Sequence, residues 1–328
     1  MLSFVTRVAR ETGAVYWALV KVVVPVMLLV RLAVEFGLIG YVAAVFEPFM
    51  ALVGLPAEMG IVWATACLVN IYGGAAALMG VLPQAPLTVA QMTVLLTMVL
   101  VAHSLPVEQR VCQRAGAGLL FTTLLRLGGA VVLGAILAWT YDALGVLEAP
   151  AHIAWMPESD ARAPWGRWLL NSAESLAWLF IIILALITLL RLFDALGVTD
   201  LVSRLMRPAL RAMGMSPAAT PVSVVGVLLG LSYGGGLIIR EAEAGALPTR
   251  DAVLSLSLMA LCHALIEDSL FVMALGAHWS GVLLARPLFA VLVVAIMARL
   301  IHSMDDATVL RWLASPAGRK QAALQAAE

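Results

Sequence analysis

The sequence predicts an all-α polytopic membrane protein made of two inverted repeats, each with about three transmembrane helices, an amphipathic helix and a re-entrant hairpin. Composition supplies the first observation: 62% of residues are hydrophobic, 12% are charged and mean hydropathy is +1.00. Soluble domains do not carry so little charge over so much apolar surface. The second observation is internal similarity at a shift of 160 residues, which lays Arg31 on Arg191, Gly37 on Gly197, Pro48 on Pro208 and Gly54 on Gly214. With one inserted residue Tyr72-Gly73-Gly74 falls on Tyr233-Gly234-Gly235, and at 160 again His103 falls on His263, Glu108 on Asp268 and Arg126 on Arg286. Two unrelated apolar stretches would match through Leu, Val and Ala; these match through Gly, Pro, Tyr, His and Arg. The third observation is the apolar run from Asp251 to Leu275, which is long enough to cross a bilayer and carries His263, Glu267 and Asp268 near its middle. A charge at the bilayer centre costs about 2.5–3.5 kcal/mol on insertion scales, so ionisable groups there point to function.

Residues 1–13 read as a short basic lead-in, and the apolar run from Val15 is too long for a signal-peptide core, so it is an uncleaved first span. Residues 14–146 form the first repeat: a span, an amphipathic stretch from Gly40 to Val53, two short limbs around Asn70 to Gly74, a span with His103, Pro106 and Glu108, and another within Gly116 to Val146. Residues 147–170 are the linker, marked by Pro150, Pro157 and Pro164 and by tryptophans that suit a membrane interface. Residues 171–301 repeat the pattern, with a basic amphipathic stretch from Asp200 to Met213, and 302–328 form a polar, Ala-rich helical tail.

If each Tyr-Gly-Gly segment enters and leaves on one side, each repeat has three crossings and the halves point in opposite directions. In a bacterial inner membrane with both termini in the cytoplasm, most basic residues, Arg126 included, then fall inside, and only Arg31, Arg162, Arg167 and Arg286 fall outside. Zero net charge argues against a nucleic-acid partner, leaving the lipid bilayer and a small solute or ion. Cys67, Cys112 and Cys262 have no paired spacing, which speaks against a disulfide framework or a Cys-ligated zinc site.

Tyr72-Gly73-Gly74 and Tyr233-Gly234-Gly235 carry glycines that either permit a tight turn beside a ligand or simply let helices pack closely. Pro106 is expected to break its helix and free carbonyls near Glu108, whereas Ile266 at the matching position leaves a continuous second-half helix with His263, Glu267 and Asp268 on one side. Pseudo-two-fold symmetry would bring His103 and Glu108 towards His263 and Asp268 at the midplane. Histidine with carboxylates suits a divalent cation, with His103, His263, Glu267 and Asp268 as ligands, or a proton relay, or a hydrogen-bonded polar solute. Helix–helix contact without a ligand is the plainer alternative. Arg126 and Arg286 are expected to snorkel or to pair with structural carboxylates.

The Tyr-Gly-Gly hairpin, the following His-x-Leu and acid, and the repeat resemble the Gate, or nucleoside-recognition, family of bacterial membrane proteins over about residues 14–300. That family is similar to parts of concentrative nucleoside transporters, the ferrous-iron transporter membrane domain and spore maturation proteins. The resemblance implies transport or gating, nucleosides among the possible solutes, or else a non-transporting assembly role; it also implies a homodimer. No phosphate loop Gly-x-x-x-x-Gly-Lys occurs, so energy is expected from the gradient of a coupling ion or from none. An intramembrane metalloprotease needs a motif such as His-Glu-x-x-His, which the chain lacks, so it is not expected to be an enzyme.

Overall fold

The computed structural model describes residues 2–155, 163–216, 219–243 and 247–325. The chain is an all-α polytopic membrane protein with fifteen α-helices among those residues. Five helical stretches are long and apolar enough to cross a bilayer: 6–35, 89–114, 119–144, 165–193 and 280–303.

Helix α1 (Leu2–Glu35) is continuous, so the expected lead-in is helical and joined to the first span. It packs against α8 (Trp165–Ala195) along most of its length. Arg191 pairs with Glu11 at 2.6 Å, the Tyr16 hydroxyl donates to the Leu176 carbonyl at 3.2 Å, and Arg31 donates to the Ala163 carbonyl at 2.9 Å. Rising numbers on one helix meet falling numbers on the other, so α1 and α8 run antiparallel. They define two ends of the molecule. At the linker end lie Arg31, Trp165 and the start of α8; at the other, the tail end, lie Glu11 and Arg191.

The linker end also holds α2 (Ile39–Leu52) and the start of α5 (Val89–Val101). Gln91 Nε2 donates to the Gly54 carbonyl, and Val89 and Ala90 donate to Ala149 and Leu147, so the linker straps the beginning of α5. Between them α3 (Met59–Leu68) and α4 (Ile71–Val81) form a hairpin whose sharp bend is Val69-Asn70. Its tip reaches the break between α5 and α6 (Leu105–Arg114), where Ser104 N–H donates to the Ala66 carbonyl at 2.9 Å.

The second half assembles at the other end. Amphipathic α9 (Val198–Ala212) leads to α10 (Ala219–Glu243), bent at Gly230, where φ is +82°. The approach to α10 lies at the tail end, with Ser216 N–H donating to Asp251 at the start of α11 (Thr249–Leu261). The bend of α10 reaches the break between α11 and α12 (Glu267–Ala274): Leu265 N–H donates to the Val227 carbonyl at 2.9 Å. Finally a π-helical turn, Ser280–Ala285, continues into α13 (Arg286–Ser303). The tail helices α14 (Asp306–Trp312) and α15 (Pro316–Gln325) return to cover the loop between α6 and α7 (Leu119–Leu144), where Ser315 N–H donates to the Gly116 carbonyl.

The apolar interior gives no hydrophobic drive between helices once they are in lipid, so close backbone approach carries the packing. A Cβ at Gly134 on α7 would lie 2.8 Å from the Met98 sulfur on α5, and one at Gly74 on α4 would lie 2.7 Å from the Ala66 Cβ on α3. The Tyr-Gly-Gly glycines of the first half therefore do not make the turn. Val69-Asn70 does, with Asn70 capping α4 by accepting from Gly73 N–H at 2.8 Å, and Gly74 lets the limbs meet. Pro157 and Arg162 of the linker lie outside the described residues.

This packing has a direct test. Gly74→Ala forces the hairpin limbs apart and is expected to cost about 1–3 kcal/mol, as overpacking does. Gly13→Ala, in open space on α1, should leave the detergent melting temperature unchanged or raise it slightly.

Candidate functional site

Both sequence-predicted histidines sit where a membrane helix stops halfway. Helix α5 opens with a capping box, Thr88 and Gln91 each holding the other's backbone N–H, and ends at Val101. Helix α11 ends at Leu261. The expected continuous second-half helix is therefore absent: the Asp251 to Leu275 run is α11, a break and α12. Both halves break at the same place. Ser104 and Ala264, 160 positions apart, take the left-handed backbone conformation, with φ of +50° and +44°. Pro106 is not the cause; it lies in the first turn of α6, after the break.

A broken helix leaves carbonyls and N–H groups unpaired, which hydrocarbon cannot satisfy. Two arginines supply what the backbone lacks. Arg126 on α7 donates from Nε to the Val101 carbonyl and from Nη2 to the His103 carbonyl, both at 2.8 Å. Arg286 on α13 does the same 160 residues on, to Leu261 at 3.3 Å and His263 at 2.7 Å, with a further bond to Leu100 at 3.2 Å. Both guanidiniums are fully buried, so neither snorkels, and the expectation that Arg126 lies inside and Arg286 outside is corrected. Positive charge at the C-terminal ends of α5 and α11 also opposes the helix dipoles.

The acids occupy the opposite kind of terminus. Glu108 lies in the first turn of α6, and Glu267 and Asp268 lie in the first turn of α12, where the dipole favours negative charge. Glu108 Oε2 pairs with Arg126 Nη1, turning Oε1 towards the histidines. Oε1 is 3.3 Å from His263 Nε2 and 3.5 Å from His103 Nε2, and Asp268 Oδ2 is 3.6 Å from His103 Nε2. The two Nε2 atoms face one another at 3.2 Å. His103, His263 and Asp268 each offer a ligand atom within 4.8 Å of the others.

The rings are fixed from behind. His103 Nδ1 is 2.9 Å from the Val99 carbonyl and His263 Nδ1 is 2.8 Å from the Met259 carbonyl. A carbonyl only accepts, so each Nδ1 carries a hydrogen, and in the neutral ring Nε2 then presents its lone pair to the centre.

The remaining candidates fall outside that centre. Glu267, expected as a ligand, is partly buried and makes no ion pair with the histidines among the described residues, whereas Glu108, which symmetry brings towards the centre, stands 3.3 and 3.5 Å from them. Tyr72 packs its ring on Phe271 at 4.7 Å, beside Glu267 and Asp268. Gly73 and Gly74 are helical within α4. The backbone of Tyr233-Gly234-Gly235 is helical within α10, and their side chains lie outside the described residues. Sequence reasoning misses the arginines' role as caps of the breaks, although their match at the same 160-residue shift as the histidines is its signal. Two asymmetries separate the halves: Arg286 Nη1 has no hydrogen-bond partner among the described residues, and Asp268 is one methylene shorter than Glu108.

Removing one member of a buried ion pair leaves the other charged and alone, which costs about 3–5 kcal/mol. Arg126→Met should lower stability by that amount in thermal unfolding, and adding Glu108→Gln should recover part of the loss. Ala264→Gly should raise stability by up to about 1 kcal/mol, because glycine accepts the left-handed conformation that costs alanine about 1–2 kcal/mol.

No family model matches the chain, and no solved structure matches it. The chain is similar to the uncharacterized membrane protein YvoD of Bacillus subtilis (strain 168), with 27% identity over 311 residues that cover 93% of this chain and 94% of the relative. That similarity, with the five apolar helices, places the chain among multi-pass membrane proteins.

Proposed function

We propose that the chain is a permease of the bacterial inner membrane, built from two inverted repeats, that moves a small cation through the point where α5 and α11 break. One observation carries this reading: ionisable side chains converge on two interrupted helices in an apolar interior. Interrupted helices at membrane depth are tolerated where they line a cavity or site, and transporters of inverted-repeat architecture bind substrate there.

The inversion rests on the contacts at each end. Helices α1 and α8, equivalent at a shift of 160, pair antiparallel through Glu11 and Arg191 at one end and Arg31 and Ala163 at the other. The α3–α4 hairpin is anchored at the linker end, and the approach to α10 at the tail end beside Asp251. Arg7, Arg10, Arg110, Arg114, Arg311, Arg319 and Lys320 are all exposed, and they lie on segments that gather at the tail end, which makes that end cytoplasmic.

A cation suits the site better than a nucleoside. Stacking a base needs a free ring face, and Tyr72, beside Glu267 and Asp268, packs its ring against Phe271. A role in assembly without transport, the other family-like reading, leaves the inward-facing Nε2 lone pairs without a purpose.

Two measurements check the proposal. In a background free of native cysteines, Arg167→Cys should react with an impermeant maleimide on intact cells and Lys320→Cys only after permeabilisation; the same-side result contradicts the topology. Proteoliposomes holding the wild type should take up Mn²⁺ or Zn²⁺ faster than those holding a His103→Asn, His263→Asn double variant. Equal rates contradict cation transport.

A further inference from the structure

We propose that His103 Nε2, His263 Nε2, Glu108 Oε1 and Asp268 Oδ2 form a four-ligand site for a divalent first-row transition metal of the zinc class. The permease reading determines what the ion does there; the site itself stands on geometry.

The spacing is the first argument. Hydrogen bonds between nitrogen and oxygen run about 2.7–3.2 Å. The contacts of His103 with Glu108 and Asp268, at 3.5 and 3.6 Å, are too long for direct hydrogen bonds, and that of His263 with Glu108, at 3.3 Å, is a long one. Metal–ligand bonds of about 2.0–2.1 Å put neighbouring ligands roughly 3.3–3.4 Å apart, which the separations of Glu108 from both histidines approach; Asp268 stands 3.6 Å from His103 and within 4.8 Å of His263, so its side chain closes on the ion by a small shift. The 3.2 Å between the imidazoles falls beside the ligand–ligand spacing.

Lone-pair chemistry is the second argument. With both Nδ1 atoms committed to carbonyls, two Nε2 lone pairs point at each other in a buried site. In the neutral rings these lone pairs repel, and a cation at the centre removes the repulsion.

The outer groups are the third. Metal-bound histidines as a rule donate their other N–H to a carbonyl or carboxylate, and metal-bound carboxylates are held by a further hydrogen bond. His103 and His263 do the former through Val99 and Met259, and Glu108 does the latter through Arg126. These same residues hold the helix breaks, so the ligands are positioned by the fold itself.

Ligand type narrows the ion. Two imidazoles and two carboxylates suit zinc and its first-row neighbours, whereas magnesium and calcium demand about six or more ligands, chiefly oxygens. The buried guanidiniums of Arg126 and Arg286 already offset the two carboxylates, so a dication is held by coordination more than by net charge, which moderates the grip. A moderated grip suits an ion that must also leave.

The test uses Co²⁺ as a coloured probe on chelator-treated full-length protein in detergent. Wild type should develop the intense visible absorption of four-coordinate Co²⁺, displaced by Zn²⁺ and not by Mg²⁺ or Ca²⁺. The double variant His103→Asn, His263→Asn keeps an N–H where each Nδ1 donates and removes both Nε2 ligands; it should bind Co²⁺ at least about 100-fold more weakly. The single variant Asp268→Asn, which leaves the histidine rings and the Arg126 pair intact, should weaken binding about 10–100-fold and guards against misfolding of the double variant. Co²⁺ binding that is unaffected in both variants, or that is six-coordinate and displaced by Mg²⁺, overturns the site. Variant-sensitive binding with no metal uptake into proteoliposomes overturns the permease reading and leaves the metal site standing.

Discussion

The arrangement depends on satisfying polar backbone where there is no water. Stopping α5 and α11 partway across an apolar interior frees carbonyls at Val101, His103, Leu261 and His263, and each receives a bond from a buried guanidinium. The N–H groups of Ser104 and Leu265 just past the breaks go to the tips of the bent hairpins, at Ala66 and Val227. Without these partners each break would cost several kcal/mol and the helices would close into continuous spans. Three consequences follow from that need. The arginines must be buried, the hairpins must reach the centre, and the histidines at the ends of the half-helices must face each other.

Once the breaks exist, electrostatics arranges the rest. Half-helix C-termini face the centre with His103 and His263, and half-helix N-termini face it with Glu108 and Asp268 in their first turns. Dipole and side-chain charge agree at each terminus. The pattern is written twice at one spacing, down to the left-handed residues Ser104 and Ala264 and the carbonyls that hold Nδ1 of each ring. A duplicated constellation of this kind makes a shared central site the simplest account of why costly groups persist in the membrane.

Much of this is legible in the sequence through residue types that do not belong in hydrocarbon. His103, His263, Glu108 and Asp268 stand out because they are expensive there, and the shared 160-residue shift ties them together from the sequence alone. What stays hidden is backbone. Nothing in Ala264-Leu265-Ile266 signals a break, because the break is stabilised by Arg286 and Val227, far away in sequence. Pro106 marks the first-half break correctly, at the start of α6, and misleads only in suggesting that the second half, with Ile266 there, stays continuous. Of the two readings of the Tyr-Gly-Gly glycines, Gly74 serves close packing, against Ala66, and the bends fall instead at Asn70 and Gly230. Glu267 reads as a ligand ahead of Glu108 because a continuous helix would put it on the histidine's side, and the break removes that relation.

The central claim, that the two helix breaks line a site reachable from both membrane faces, is tested most directly by side-specific labelling at a break. Ser104, half-buried at the first break, can be replaced by cysteine in a background free of native cysteines and challenged with an impermeant reagent in proteoliposomes of known orientation. The account predicts labelling of Ser104→Cys from either face, slowed from both by Zn²⁺ and unaffected by Mg²⁺. Labelling from neither face, or from one face only with no effect of Zn²⁺, would contradict it.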